Sequence, residues 1–151
     1  MTHEPLTNSL TILGRELRTS NDEAFQTIPP FWGTFYGAGV IEQIPDRLSD
    51  DVYAVYTNFE HEGVDNLGMY SLVIGCLVDE STTGTDKLIA VSIPESKRTV
   101  FPVETGRPDL VGATWQEIWS RSDLAQTYIA DFEHYAPDGT ISISIGVARY
   151  R

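Results

Sequence analysis

The sequence of 151 residues contains a single cysteine, Cys76, and no long apolar run. One thiol cannot form a disulfide within the chain, and a lone cysteine is compatible with a reducing compartment. No stretch approaches the roughly 20 consecutive apolar residues that cross a bilayer as a helix. The first residues, Met1-Thr2-His3-Glu4-Pro5, have neither the basic nor the apolar segment of a secretory signal. We therefore expect a cytoplasmic protein that does not enter a membrane.

Basic side chains are also scarce, with 10 Lys and Arg against 22 Asp and Glu and a formal net charge of −12. The densest basic cluster, Lys97-Arg98, is too small to neutralise a nucleic-acid backbone, so direct nucleic-acid binding is not expected. An acidic excess of this size keeps a protein soluble, and it also attracts cationic partners over long range. The charge alone leaves both interpretations open.

Motifs of the common catalytic and cofactor sites are missing. The chain has no P-loop, no Gly-x-Ser-x-Gly nucleophile motif and no dinucleotide fingerprint. His61 and His134 lack the spacing to cysteine, histidine or carboxylate that known metal-ligand sets have. Cys76 lies in an apolar segment, which is typical of a buried thiol and not of a nucleophile. We therefore assign no catalytic residue, metal or cofactor from motifs.

An internal repeat is the most informative feature that the sequence does have. The motif Phe-Glu-His at 59–61 precedes Ser-Leu-Val-Ile-Gly at 71–75, and Phe-Glu-His at 132–134 precedes Ser-Ile-Ser-Ile-Gly at 142–146. Further upstream, the aromatic segment 31–36 matches segment 114–119. Duplicated units often pair about a pseudo-twofold axis, and the seam between them is a natural ligand site. We expect one domain over residues 1–151, with repeat halves at about 8–80 and 86–151.

Each half has the pattern of a strand, a helix and two further strands. Alternation predicts first-half strands at 10–18, 52–62 and 69–78, and the sequence Ser20-Asn21-Asp22-Glu23 predicts a capping box. The helix that it starts is expected to break and restart at Pro29-Pro30. The second-half predictions are strands at 88–93, 99–104, 128–135 and 140–148, and a helix from about Asp109.

These elements predict an α+β fold with an antiparallel sheet, pseudo-twofold symmetry and a ligand cleft between the halves. The first half is longer, mostly near residues 37–51, and that extra loop has the length to close over one side of the seam. The connector between the halves is the polar, glycine-bearing segment 79–86.

Strand alternation places Glu133 on one face with Tyr135, and Phe132 on the other. We expect the phenylalanine of each Phe-Glu-His to pack under its helix, so that each glutamate faces away from the helices. A strand glutamate is usually solvated, because Glu is almost never fully buried without a partner. The alternative is a carboxylate among aromatic walls, where charge and cation–π attraction hold an organic cation. Such binding would weaken at low pH.

The second half also carries an ordered series of motifs from Ile93 to Val147. The Ile-Pro turn is followed by a strand ending near Gly106, a helix tryptophan, and Asp-Phe-Glu-His-Tyr before a closing Ile-rich strand. In this order the motifs resemble the gyrase-inhibitor-like, AraC-type effector-binding family, the ligand domain of many bacterial multidrug-sensing transcription regulators. Two positions depart from that pattern: Thr99 stands where tyrosine is common, and Ile145-Gly146 where Ile-Pro is common.

The resemblance implies a small-molecule pocket for lipophilic or aromatic organic cations, used for sensing or sequestration. It assigns Glu133 as the pocket carboxylate. The candidate aromatic walls are Trp115, Tyr135, Tyr36 and Tyr56. Glu60, the repeat mate of Glu133, has no such support and is expected to be structural or to line the rim. The chain is similar to solitary versions from mobile gene cassettes, so a DNA-binding regulator would be a separate partner.

Two other functions stay open at this point. Some members of the family that this sequence resembles open strained rings in toxic compounds. In such a reaction Glu133, beside Tyr135, would orient a water as a general base. No second catalytic group is evident, so the hypothesis of an enzyme is less favoured than that of a binding protein. An acidic surface also suits protein interaction, for example with a regulator or a topoisomerase. The natural ligand and the oligomeric state are not indicated by the sequence.

Overall fold

The fold is built on a twisted antiparallel sheet, and the computed structural model describes residues 1–150 of it. The eight strands are β1 (Thr2–His3), β2 (Leu10–Ser20), β3 (Val52–Thr57), β4 (Met69–Val78), β5 (Ile89–Ile93), β6 (Arg98–Val103), β7 (Ala130–Tyr135) and β8 (Ile141–Gly146). They lie in the sheet in the order β1-β6-β8-β7-β3-β4-β2-β5. The helices are α1 (Ala24–Gly37), α2 (Val40–Gln43) and α3 (Val111–Ser120), the last entered through a 3₁₀ turn at Pro108–Leu110.

The predicted duplication is present in the order of these elements. The first unit is β2-α1-β3-β4 and the second is β6-α3-β7-β8. Strands β3 and β7, one from each unit, pair antiparallel at the centre of the sheet, with Val55 opposite Phe132. This arrangement confirms the α+β fold with antiparallel, internally repeated halves, and it brings α1 and α3 to either side of the central seam.

The two Phe-Glu-His motifs, however, do not occupy equivalent places. The second lies inside β7, whereas residues 59–61 follow the end of β3 in a turn. Ser71 pairs with Thr57 and Ser142 pairs with His134, so aligning the two serines makes Tyr56 the structural mate of Glu133. The chain leaves β3 early because Asn58 takes a left-handed backbone conformation, with φ 52. The sequence repeat matches Glu60 with Glu133, whereas in the structural repeat the residue equivalent to Glu133 is Tyr56.

Helix α1 also differs from its prediction. It begins at Ala24 without a side-chain cap and runs through Pro29 and Pro30 without a break. The expected capping box is not formed because Ser20, its capping residue, is the last residue of β2 and pairs with Met69, so the helix begins only after Glu23. The helix tolerates its two prolines because it is held by tertiary packing of its apolar face, which outweighs local propensity.

Both faces of the sheet are buried. On the sheet face that carries the helices, Leu13 and Leu72 belong to one apolar cluster with Phe35 of α1. On the same face, Ile143 belongs to a second cluster with Trp115 of α3. The opposite face buries a third cluster: Ile12, Tyr53, Val55, Val73, Ile93, Ala130 and Phe132. Strands β5 and β6 lie near opposite edges of the sheet yet are joined by residues 94–97 alone, so the sheet curls around this third cluster.

This packing corrects the orientation expected for the central strand. Phe132 does not lie under a helix but packs with Tyr53 on the opposite face, at a ring-centroid distance of 5.8 Å. Glu133 therefore points toward α1 and α3. Alternation correctly divided the side chains of this strand between the two faces of the sheet. Which of the two faces carries the helices was assigned wrongly, because the strand is buried on both faces.

The longer first-half segment does not cover the seam. It forms α2, and its Val40 and Ile44 are buried in the cluster beneath α1. None of the described residues lining the central cavity comes from segment 38–51. Within residues 1–150, the helices are too short or too polar to span a membrane.

Candidate functional site

A cavity of about 460 Å³ opens between α1 and α3, above the central strands β3 and β7. Each repeat half supplies one wall. Phe25, Ile28 and Trp32 come from α1, and Val111, Trp115 and Trp119 come from α3. The floor is formed by Tyr56, Tyr70, Asp131, Glu133 and Tyr135. The volume lies within the range of sites for drug-sized ligands.

The charge of this cavity is one-sided. Among the described residues that line it, Asp131 and Glu133 alone have side chains that ionise near neutral pH, and Lys, Arg and His are absent. The other polar groups are amides and phenols, which cannot neutralise a carboxylate. The lining is otherwise mainly apolar and aromatic. A site of this kind offers negative charge and ring faces, and its described lining has no positive side chain to attract an anion.

Glu133 lies at the centre of the floor, with only 2% of its surface exposed. Its Oε2 accepts hydrogen bonds from Tyr56 Oη at 2.6 Å and Trp115 Nε1 at 2.7 Å. Its Oε1 accepts one from Tyr135 Oη at 2.5 Å. The donors come from β3, α3 and β7, so both halves of the molecule fix the carboxylate. Ala54 stands opposite Glu133 across the strand pair and is buried in the apolar cluster beneath α1.

Burial raises the pKa of Glu133 above its ordinary value, and the three hydrogen bonds to the carboxylate only partly oppose that effect. The same surroundings raise the pKa of Tyr56 well above its usual value and raise that of Tyr135 also, through burial and the neighbouring Glu133 charge. Burial likewise raises the pKa of Tyr70 to about 12. The phenols therefore remain hydrogen-bond donors, and the carboxylate is the group in this set that titrates.

Ring contacts extend from this carboxylate to the mouth of the cavity. Tyr56 meets Trp115 edge-on, with centroids 5.3 Å apart, and Trp115 stacks with Trp119 at 5.8 Å. On the other wall, Trp32 meets Tyr135 edge-on at 5.2 Å. Tyr56 and Tyr135 contact the apolar clusters of both halves. The rings thus form a continuous aromatic lining around Glu133.

The structure brings together four of the five residues singled out from the sequence: Glu133, Trp115, Tyr135 and Tyr56 all line the cavity. Tyr36 does not line it. That side chain is 57% exposed and stacks on the outer side of Trp32, with centroids 5.9 Å apart. Trp32 stands on the wall in its place. The sequence contained a signal for it, because Trp32 matches Trp115 in the aromatic repeat.

Asp131 is the lining residue whose importance the sequence analysis missed. It is buried, with 4% of its surface exposed, and its Oδ1 accepts a hydrogen bond from the Gly146 amide at 2.9 Å. Arg98 Nη2 lies 3.9 Å from the same oxygen. Burial raises the pKa of Asp131 to about 6, although the amide and the guanidinium oppose the shift. Strand alternation with Glu133 was the available signal.

The first Phe-Glu-His motif lies outside the floor. Phe59 reaches the cavity lining, but Glu60 is exposed, and its Oε1 accepts a hydrogen bond from the Met69 amide at 2.9 Å. His61 pairs with Asp65, and His134 pairs with Asp51 on the other side of the sheet. Residues 1–150 hold no group of three or more His, Cys, Asp or Glu side chains placed to bind a metal ion.

Comparison with known proteins identifies relatives of this architecture. The family model of integron-associated effector-binding proteins matches residues 7–147. An integron cassette protein from the mobile metagenome of Vibrio cholerae superposes with a TM-score of 0.76 at 25% identity, covering 97% of this chain and 94% of that one. No curated protein gives a significant match.

Two further solved structures share the fold at lower identity. The protein SAV2435, solved bound to tetraphenylphosphonium, has a TM-score of 0.77 at 21% identity and covers 97% of this chain and 94% of its own. A protein from Staphylococcus aureus MU50, named for bacterial transcription regulation, has a TM-score of 0.73 at 18% identity, with coverages of 97% and 98%.

Proposed function

The chain belongs to the family of integron-associated effector-binding proteins, and we propose that its effector is a lipophilic, aromatic organic cation bound beside Glu133. The observation that carries this proposal is the buried Glu133 carboxylate, held by three neutral donors in a cavity whose described lining has no basic residue. A buried carboxylate without a counter-ion is unfavourable. A cationic ligand supplies the missing charge.

The aromatic lining favours an organic cation over a metal ion or a compact ammonium. Indole and phenol faces attract a cation by about 0.5 to 2 kcal/mol for each well-placed ring, most strongly when the ligand is desolvated. Trp32, Trp115 and Trp119 offer such surfaces on both walls. Ligand rings would gain apolar burial against the same walls. The Glu133 carboxylate thus selects for a positive charge, and the aromatic walls select for ligands that carry aromatic rings.

The fold relative SAV2435 supports the same ligand class, because it was solved with tetraphenylphosphonium, a cation surrounded by phenyl rings. Hydrolysis receives less support from the geometry. The carboxylate oxygens of Glu133 already accept three hydrogen bonds from the protein, so an attacking water would have to compete with those donors for Glu133. A separate DNA-binding regulator that would read the bound state remains a prediction.

Tryptophan fluorescence tests the proposal directly. Trp32, Trp115 and Trp119 all line the cavity, so they account for the three tryptophans of the chain. We expect tetraphenylphosphonium to change their emission saturably, with one-site behaviour. Titration with tetramethylammonium, which has the charge but no rings, should give a much smaller change. Equal responses to both cations, or no saturation, would contradict the proposal.

Affinity for the cation should fall as the pH is lowered. Binding requires the Glu133 carboxylate, and burial has raised the pKa of this group in the empty protein. The bound cation lowers that pKa again, so binding is linked to release of a proton. Affinity should therefore be highest above the raised pKa of the free site and weaken as the pH falls through it, at higher pH than ordinary glutamates titrate. Calorimetric titrations between pH 8 and pH 5 measure it, and a pH-independent affinity for a quaternary cation would contradict it.

A further inference from the structure

The cavity floor holds two carboxylates, and only one of them is surrounded by donors. Asp131 and Glu133 are two residues apart on the same face of β7, which places their side chains about 7 Å apart along the strand. Both are buried and both line the cavity. Whereas Glu133 accepts three hydrogen bonds, Asp131 accepts one, from the Gly146 amide to Oδ1.

The second oxygen of Asp131 is the distinctive atom. Within residues 1–150, Oδ2 accepts no hydrogen bond, although the side chain is almost entirely withdrawn from solvent and borders the cavity. Among the side chains of residues 1–150, Arg15 Nε is the polar atom that is enclosed without a partner, so Asp131 Oδ2 is accessible and not sealed within the protein. Because Asp131 lines the cavity, a molecule bound there can supply the hydrogen bond or the positive charge that this oxygen lacks.

Arg98 does not fill that role. Its guanidinium lies on the far side of the strand, 5.0 Å from the centroid of the Phe132 ring. Its hydrogen bonds go to Ser96 and Ser144 hydroxyls and to the carbonyls of Ala130 and Ser144. The 3.9 Å approach to Asp131 Oδ1 is an ion pair without a hydrogen bond. It lowers the cost of the Asp131 charge and leaves Oδ2 without a hydrogen bond from Arg98.

We propose that Asp131 forms a second cation subsite, so that the preferred ligands are flat aromatic dications whose two charges span the distance from Asp131 to Glu133. The inference rests on the proposed function, since it extends the same cavity. Glu133 determines that a cation binds at all. Asp131 selects among cations by their number of charges. With an Asp131 pKa of about 6, its carboxylate is ionised at pH 7.5.

A matched pair of ligands tests this directly. Methyl viologen is a planar dication whose ring nitrogens are separated by about the spacing of two residues along a strand. N-methyl-4-phenylpyridinium has the same two-ring shape with one charge. By calorimetry at pH 7.5, we expect wild-type protein to bind the dication at least about 10-fold more tightly. Raising the salt concentration should retain most of this ratio, because buried charges are poorly screened.

The variant Asp131→Asn separates the subsite from the surface field. Asparagine still accepts from the Gly146 amide, and the formal charge outside the cavity is unchanged. We expect the ratio to fall to within about 3-fold, because the dication loses more affinity than the monocation when the Asp131 charge is removed. Equal wild-type affinities for the two ligands would overturn the inference without any variant. An unchanged ratio in a folded Asp131→Asn protein would also overturn it. Failure of both cations to bind would instead overturn the proposed function.

Discussion

Replacing Glu133 with glutamine is expected to weaken binding of N-methyl-4-phenylpyridinium by about 30-fold or more, which corresponds to about 2 kcal/mol, the lower end for removing one partner of a buried charge pair. Glutamine keeps the size of the side chain, and its amide oxygen can accept from Tyr56 and Trp115 as Oε2 does now. Its amide nitrogen can donate to the Tyr135 hydroxyl, which then acts as an acceptor. The amide has no net charge, however, so the attraction for a cation is lost. The aromatic walls stay in place, and binding of the neutral isostere 4-methylbiphenyl should change little.

The matched control is Glu117→Gln, which removes the same charge from an exposed position on α3 that does not line the cavity. It should leave both affinities unchanged, because an exposed charge is screened by salt. Comparable losses for the cation in Glu133→Gln and Glu117→Gln would show that the general acidic field, and not the buried carboxylate, attracts the ligand. A loss of the neutral isostere in Glu133→Gln would point to a collapsed cavity.

The sequence predicted most of the fold because the repeat and the alternation are local patterns. The strand at 69–78 was predicted with its observed bounds, and the paired units follow from the duplication. Glu133 and Trp115 were found because the motifs that contain them are specific. Asp131 follows the same strand alternation as Glu133, but its role as a lining residue was missed.

The errors came from tertiary context, which no local pattern contains. Phe132 was wrongly expected beneath a helix. It is buried on the opposite face of the sheet, and the burial of that face depends on the curl of the whole sheet, which strand alternation does not contain. The capping box did not form because Ser20 belongs to the end of β2, where it pairs with Met69, a residue distant in the sequence. Tyr36 and Trp32 lie four residues apart on α1, and which of them reaches the cavity is decided by how the helix is rotated against the sheet.

The side chain expected to matter most for stability is Arg98, which lies outside the ligand site. It is 1% exposed and donates four hydrogen bonds, two of them to the Ala130 and Ser144 carbonyls where β7 and β8 separate. Arg98→Met removes all four and leaves the Asp131 charge without its ion pair. We expect a loss of about 3 to 5 kcal/mol in the free energy of unfolding, the usual cost of breaking a buried pair. In a thermal melt, this should lower the Tm by about 10 °C.

The exposed ion pair of Arg107 with Asp109 provides the control, and Arg107→Met should leave the Tm unchanged, because solvated pairs contribute little. The loss caused by Arg98→Met should itself depend on pH. Burial already raises the pKa of Asp131 to about 6. Removing the guanidinium raises that pKa further, so at pH 5 the carboxyl is neutral and no unpaired charge is buried. At pH 8 the Asp131 carboxylate of the variant must either stay charged without its partner or take up a proton at a cost in free energy. Arg98→Met should therefore destabilise the protein more at pH 8 than at pH 5.

The double variant Arg98→Met/Asp131→Asn separates the two parts of the Arg98 effect. Removing the carboxylate charge should restore part of the stability lost at pH 8 and little at pH 5, because the unpaired charge exists only at the higher pH. The part that is not restored measures the hydrogen bonds to Ala130 and Ser144. A pH-independent loss with no recovery in the double variant would mean that Arg98 acts through those bonds and its packing on Phe132 alone. Asp131 would then be left as a charge held for the ligand and not for the fold.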